Sequence, residues 1–181
     1  MAITELVQRA REGDRDAYDV LVTESIDAMY RLARLILRDY DRASDAVQEA
    51  LVRCWRDLPQ LRDVERFDAW LRRILIRAIQ EEARKRRRDP IQLVVVPVAT
   101  QADSSAALAD RDEIARVFAR LSVEHRTVVV LHHYLGMTAD EAASTIGIPV
   151  GTAKSRLHYA TVALRAALDA DARATAGRVS A

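Results

Sequence analysis

Apolar residues recur at three- and four-residue spacing along most of this chain, broken by polar turns, and no segment alternates with the two-residue period of a strand. The clearest pattern lies between Leu121 and Leu168. Ser122 is placed to cap a helix that Gly136 would close. Thr138 and Glu141 spell a T-x-x-E capping box, which opens a second, short helix. Gly147 supplies the turn after it, and Ile148-Pro149 stops it from continuing. A third helix opens near Val150, with Ala153, Leu157, Ala160, Leu164 and Leu168 on one face. Two helices joined by so short a turn, the second one long, is the pattern of a helix-turn-helix.

The earlier half of the chain is also helical by its periodicity. Residues 4–12 predict a short helix with Ile3, Leu6, Val7 and Ala10 inward, closed by Gly13. Asp16 is a candidate cap for a helix through Tyr18, Leu21 and Val22. Ser25 is a candidate start for another, with Ile26, Met29, Tyr30, Ala33, Ile36 and Leu37 apolar. After a polar turn at Asp39–Ser44, a helix of about four turns is expected to end near Leu58-Pro59, with Val47, Leu51, Cys54, Trp55 and Leu58 inward. Phe67, Trp70, Leu71, Ile74, Leu75 and Ala78 form the longest periodic run, which Asp89-Pro90 breaks. Residues 90–105 lose the helical period and read as a linker, although Leu93–Val96 is too apolar for a free tether. Helical periodicity resumes with Leu108, Ile114, Ala115, Phe118 and Leu121, and the stretch after Leu168 is expected to fray. The reading is all-α, with two small helical domains, 1–88 and 106–170, a linker at 89–105 and a disordered tail at 171–181.

Charge sharpens this picture. The net charge is only +1, so the whole protein is not a basic glue for nucleic acid, but the charge is segregated. Residues 1–30 carry three Arg against seven Asp or Glu, whereas residues 70–88 carry eight Arg or Lys against two Glu. An acidic end and a basic middle fit a chain that engages both a protein and a polyanion. Arg72, Arg73 and Arg77 decorate the basic helix, and Arg84-Lys85-Arg86-Arg87-Arg88 ends it. Cations there suit the helix dipole, yet five in a row exceed what capping requires. Phe67 and Trp70 beside these cations would suit single-stranded nucleic acid, but both sit on the apolar stripe, which favours core packing for Trp70. In the last helix Thr152, Lys154, Ser155, Arg156 and His158 face outward with Tyr159 nearby. No acidic residue lies between Ile148 and Leu168, so this face suits phosphate contacts and base-edge readout.

Other chemistries are poorly supplied. One cysteine, Cys54, excludes an intramolecular disulfide and argues for a reducing compartment; its spacing puts it on an apolar face. The N-terminus has no apolar signal core and no stretch approaches membrane-spanning length, so a cytoplasmic protein with no membrane partner is expected. His125, His132 and His133 share one helix without a carboxylate or thiol to complete a metal set, and there is no Gly-rich phosphate loop or nucleophile–base pair. No cofactor, metal or catalytic residue is therefore expected.

Three segments together resemble a known family. DRASDAVQEALVRCWRDL resembles the core-polymerase-binding helix of bacterial RNA polymerase sigma factors of the extracytoplasmic-function group. FDAWLRRILIRAIQEEARKRRR resembles the helix of that family that melts and reads the −10 element. LSVEHRTVVVLHHYLGMTADEAASTIGIPVGTAKSRLHYA resembles its −35-reading helix-turn-helix. The chain departs from the family's usual pattern at Arg77, where Asn is usual, at Leu51, where Phe is common, and at Tyr159, where Arg is usual. The resemblance implies a sigma region 2 bundle and a sigma region 4 helix-turn-helix. It implies that Asp45, Gln48, Glu49 and Arg53 dock on core polymerase, which would be met at its β′ clamp and β flap. Arg66, Arg72, Arg73, Arg77, Arg84, Lys85 and Arg86 would bind −10 DNA, and the loop Pro59–Arg66 would help accept a flipped base. Thr152, Lys154, Ser155, Arg156 and His158 would bind the −35 element. A linker of about 16 residues reaches roughly 50–58 Å when extended, which helps two domains span elements about two DNA turns apart. The resemblance also implies an anti-sigma factor as partner. The rival reading is a stand-alone helix-turn-helix regulator with an N-terminal sensor domain, which has no need of a basic −10-like helix.

Overall fold

The computed structural model describes residues 3–88 and 115–179; the side chains of 86–88, 167, 168 and 170–179 fall outside the description. Among the described residues every regular element is helical. The chain divides into two compact units, Met1–Gln92 and Leu93–Ala181.

The first unit packs four helices. α1 (Ile3–Arg11) carries Leu6, Val7 and Ala10 inward, as its periodicity predicts, but Ile3 is exposed because it sits on the first, solvent-facing turn. Gly13 turns the chain at φ 99°, a conformation that favours glycine. Asp14, rather than Asp16, caps α2 (Arg15–Leu37), accepting from the Ala17 amide at 3.0 Å. Asp14 wins because Arg9 also reaches its carboxylate, which is held below the usual carboxylate range by these bonds. Ser25 starts no new helix: α2 runs unbroken for 23 residues, since nothing between Val22 and Ile26 interrupts its backbone ladder.

Arg38 ends α2 in the left-handed region at φ 54°, and Asp39 immediately caps α3 (Tyr40–Asp57). The polar stretch Asp39–Ser44 is thus the cap and opening turn of a helix, not a loop, because one capping carboxylate outweighs the lack of apolar residues there. The buried stripe of α3 is Ala43, Ala46, Val47, Ala50 and Cys54, with Leu58 buried just beyond its end. Leu51 is half-buried and Trp55 is 37% exposed, so both lie at its margin rather than inward. Trp55 instead meets Tyr18 edge-to-face with ring centroids 4.8 Å apart, and the Tyr18 hydroxyl donates to the Leu51 carbonyl at 2.7 Å.

Two single 3₁₀ turns, Leu58–Gln60 and Val64–Arg66, lead into α4 (Phe67–Arg88). Phe67, Leu71, Ile74, Leu75 and Ala78 are buried as expected. Ile76 and Ile79 are buried as well, because α4 packs against α2 and α3 together and needs a wider apolar stripe than one neighbour would.

The second unit opens with a helix over 115–120 (α5), then α6 (Val123–Val129), α7 (Ala139–Ile146) and α8 (Val150–Val179). Ser122 caps α6. Beyond Val129 the helix widens into a π-helical turn, Val130–Tyr134, before Gly136 reverses the chain at φ 68°. The capping box of Thr138 and Glu141 is formed in both directions, and Gly147 closes α7 in the left-handed region at φ 78°. The Ala153 and Thr152 amides then donate to the Pro149 carbonyl, which starts α8. The backbone of α8 stays helical to Val179, past the Leu168 at which its periodic apolar face ends. The linker expected at 89–105, its Leu93–Val96 run, and Leu108 and Ile114 lie outside the described residues.

Candidate nucleic-acid interface

On α3, the residues opposite the alanine stripe share one outward face. Asp45, Gln48 and Glu49 are exposed on it, and each makes no contribution to the core. Val52 follows at the same spacing and is 62% exposed. The sequence reading places it on neither face, and its exposure is what assigns it to this one. Arg53 lies at the edge of this face, between Glu49 and α4. Its guanidinium grips the Glu81 carboxylate of α4 with two bonds, at 2.9 and 2.5 Å, and reaches Glu49 at 2.6 Å. These bonds to Arg53 hold the Glu81 carboxyl below the usual range. Arg53 therefore clamps α3 to α4, and its donors are occupied in the free protein.

The cations of the first unit fall into two sets. Arg66 pairs with Asp63 at 3.2 Å, an exposed contact of small energetic weight, and the exposed Lys85 reaches the buried Glu82 at 2.8 Å. Arg72, Arg73, Arg77 and Arg84 have no ion-pair partner among the described residues; Arg72 is half-buried and the other three are exposed. Unpaired arginines along one helix keep their donors for a polyanion. Arg86 carries a side chain outside the description. Glu82 is buried near the end of α4, where Arg42 of α3 bonds its carbonyl at 2.7 Å and approaches its carboxylate at 3.8 Å. Trp70 is half-buried with its ring 6.1 Å from that of Phe67, which makes it a flank of the core rather than an open stacking platform. Cys54 is buried, and burial pushes its thiol up to about 11, so it is not a nucleophile at neutral pH.

In the second unit the turn from α7 to α8 sets what the last helix displays. Ala142, Ala143, Ala153 and Ala160 are buried, so α8 lies close against α6 and α7. Opposite them Lys154, Ser155 and His158 are exposed, while Thr152 and Arg156 are half-buried on one flank. Lys154 lies 3.7 Å from Asp140 of α7, with both groups largely exposed. The Ser155 hydroxyl donates to the Thr152 carbonyl of its own helix at 3.0 Å, which leaves its lone pairs free to accept. His125 of α6 bonds the Ser122 hydroxyl through Nδ1 at 2.8 Å, and His132 bonds the Met137 carbonyl at 2.6 Å. Both histidines thus have structural roles in the turns of this unit. No cluster of three or more His, Cys, Asp or Glu able to hold a metal ion exists among the described residues. No described helix is long and apolar enough to cross a membrane.

One unit thus carries an outward acidic and amide face beside a helix of unpaired arginines, and the other a capped helix-turn-helix with a cationic reading face. The sigma-70 region 2 family matches residues 21–89, and the sigma-70 region 4 family matches residues 111–164. The chain belongs to the sigma-70 family, in its extracytoplasmic-function group. It is 37% identical over 151 residues to an RNA polymerase sigma-E factor of Streptomyces avermitilis, covering 82% of this chain and 84% of that one. It is 36% identical over 156 residues to the ECF RNA polymerase sigma factor SigL of Mycobacterium tuberculosis, covering 82% of this chain and 86% of that one. Among solved structures it resembles CnrH, determined in complex with the cytosolic domain of CnrY, at a TM-score of 0.64 and 28% identity over 94% of this chain and 99% of that one. The fold is also that of the sigma factor RpoE of Bartonella quintana, at a TM-score of 0.65, 24% identity and coverage of 85% and 98%.

Proposed function

We propose that this sigma factor converts core RNA polymerase into a promoter-specific holoenzyme in the cytoplasm and performs no catalysis itself. One observation supports this above the others: a single chain joins an unpaired arginine helix, beside an outward polar face, to a helix-turn-helix whose reading face lacks acids. In this reading Asp45, Gln48, Glu49 and Val52 dock on the polymerase. Arg53 supports that face from behind, through Glu81, rather than touching the partner. Arg72, Arg73, Arg77 and Arg84 hold the displaced strand of the −10 element, Arg66 and Lys85 exchange their present carboxylate partners for phosphates, and Arg86 joins them. Thr152, Lys154, Ser155, Arg156 and His158 enter the upstream major groove. The chain's domains are then region 2 over 1–88 and region 4 over 106–170, joined by 89–105. A protein inhibitor of the anti-sigma kind joins the partner set, since CnrH, the 28% identical neighbour, was solved with a partner's cytosolic domain.

Run-off transcription with core polymerase and genomic templates tests the reading: wild type yields promoter-dependent transcripts. Absence of any such transcript with folded protein would sink it. A stand-alone regulator would instead bind operators without polymerase, and the match to sigma region 2 speaks against it.

A further inference from the structure

Tyr159 is the one position of the reading helix where an uncharged aromatic ring stands in place of the family's usual arginine, and it is 60% exposed. Exposure of a ring on a helix surface is unremarkable by itself. This ring, however, is held. Its centroid lies 4.7 Å from that of His125 in α6, with the planes inclined at 41°. His125 is in turn fixed by the Ser122 hydroxyl, the cap of α6, at 2.8 Å. Burial first, and the nearby Arg156 charge second, lower the His125 pKa, which disfavours a charged imidazole against the ring. Along α8, Tyr159 follows Thr152 by seven residues, two turns or about 10 Å, on the same flank, with Arg156 between them. A braced aromatic on that flank loses little conformational freedom on binding.

We propose that Tyr159 is a base-reading residue of the helix-turn-helix, contacting the C5-methyl of a thymine at one edge of the upstream element, and that His125 is its positioning residue. The proposal rests on the assignment of α8 as the DNA reader. The chemistry follows from what a major groove presents. An arginine at 159 would offer a fork of donors and favour the two acceptors of guanine, whereas a phenol has no fork and no charge. The thymine methyl is the apolar group exposed in that groove, and it is the feature an aromatic edge can bury. The hydroxyl is left to a phosphate oxygen, which positions the helix without adding sequence information. At this position a tyrosine therefore favours thymine, where an arginine would favour guanine.

The test uses the reconstituted holoenzyme. Wild type is first selected against duplexes randomised upstream of the −10 element, and each thymine of the selected element is then replaced singly by uracil, which removes only the methyl. Wild type should lose about fourfold in affinity at one position, the effect of one buried methyl group. Tyr159→Phe should keep that loss. Tyr159→Ala should bind thymine and uracil duplexes equally there, with its response elsewhere unchanged, and Tyr159→Arg should select guanine at the same position. His125→Ala should reduce the discrimination and His125→Phe, which restores a ring, should recover it. An identical uracil profile in wild type and Tyr159→Ala would overturn the proposal. So would a Tyr159→Ala loss spread evenly over all duplexes, which would make Tyr159 a phosphate contact. If wild type selects no upstream sequence at all, α8 is not the reader, and the underlying assignment fails along with the proposal.

Discussion

In the unit formed by α1–α4 the largest fully buried side chains are Leu21, Ile36, Leu58, Leu75, Ile76 and Ile79, contributed by elements far apart in sequence. In the helix-turn-helix unit α8 buries Ala153 and Ala160 and packs Leu157, Ala163 and Leu164 against a cluster with Leu121, Val129 and Phe118, and the elements are closed by caps and by glycines at positive φ. The first unit is also tied by charge across helices, through Arg53 to Glu81 and Arg42 to Glu82. The contrast teaches how each surface is held. The bundle with its thick aliphatic core carries Arg72, Arg73, Arg77 and Arg84 without ion-pair partners among the described residues. The second unit has aliphatic residues of its own at its centre, Val128, Val130, Leu131 and Ile146, and adds local backbone geometry to aim one helix.

The comparison can be broken most forcefully at the aliphatic core. Ile79→Ala should cost about 2–5 kcal/mol, because the cavity lies between α4 and two other helices. Denaturant unfolding, followed by hydrogen exchange in α1–α4, checks this. A cost below 1 kcal/mol would show that the core is looser than its burial implies. The alanine interface should fail in the opposite direction. Ala153→Leu inserts bulk where no space exists and should cost about 1–3 kcal/mol. Ala153→Gly, by contrast, should cost only about 1 kcal/mol, the helix-propensity difference. Equal effects from the two variants would mean that close approach is not what this site requires.

The caps come next. Thr138→Ala removes the acceptor for the Glu141 amide and should cost about 1 kcal/mol in the second unit. Hydrogen exchange of the first amides of α7 should accelerate while α1–α4 stay unchanged. The charge clamp should contribute least, since Glu81 is nearly half exposed and solvent screens its pair with Arg53. Its sign is still defined. The Glu81 pKa is lowered from 4.5 in the folded state, so its stabilisation is present above pH 4.5 and is lost as pH falls through the folded value. Glu81→Gln should therefore flatten the acid limb of the thermal midpoint against pH, while leaving the neutral limb nearly unchanged. A variant curve that runs parallel to wild type would show that the clamp carries no measurable energy.

Much of the second unit was legible in its residues because its determinants are local. Ser122, Thr138 with Glu141, Gly136 and Gly147 act within a few residues of themselves, so their roles survive in the sequence as spacing. The site on α8 was legible for the same reason: once the helix start is fixed, 3.6-residue geometry decides that Ala153 and Ala160 face inward and that Lys154, Ser155 and His158 face outward. In the first unit the sequence determined the helical class, the basic character of α4 and the burial of Cys54. Local signals misled where several competed. The sequence marked Asp16 as the cap of α2, but Asp14 takes the Ala17 amide and is held there by Arg9.

What the tertiary structure decided is whatever depends on two elements meeting. Periodicity gave Ile76 and Ile79 no special standing; their burial follows from α4 having neighbours on two sides. Arg53 read as part of an outward face until Glu81, 28 residues later, was placed beside it. The margin position of Trp55 depends on Tyr18 of α2, whose ring it meets. Tyr159 was visible as a departure from a pattern, but the ring that braces it lies on α6, 34 positions earlier in the chain. A sequence specifies caps and faces because those are short-range; which charge is spent and which ring is held are long-range, and the folded backbone alone brings those groups together.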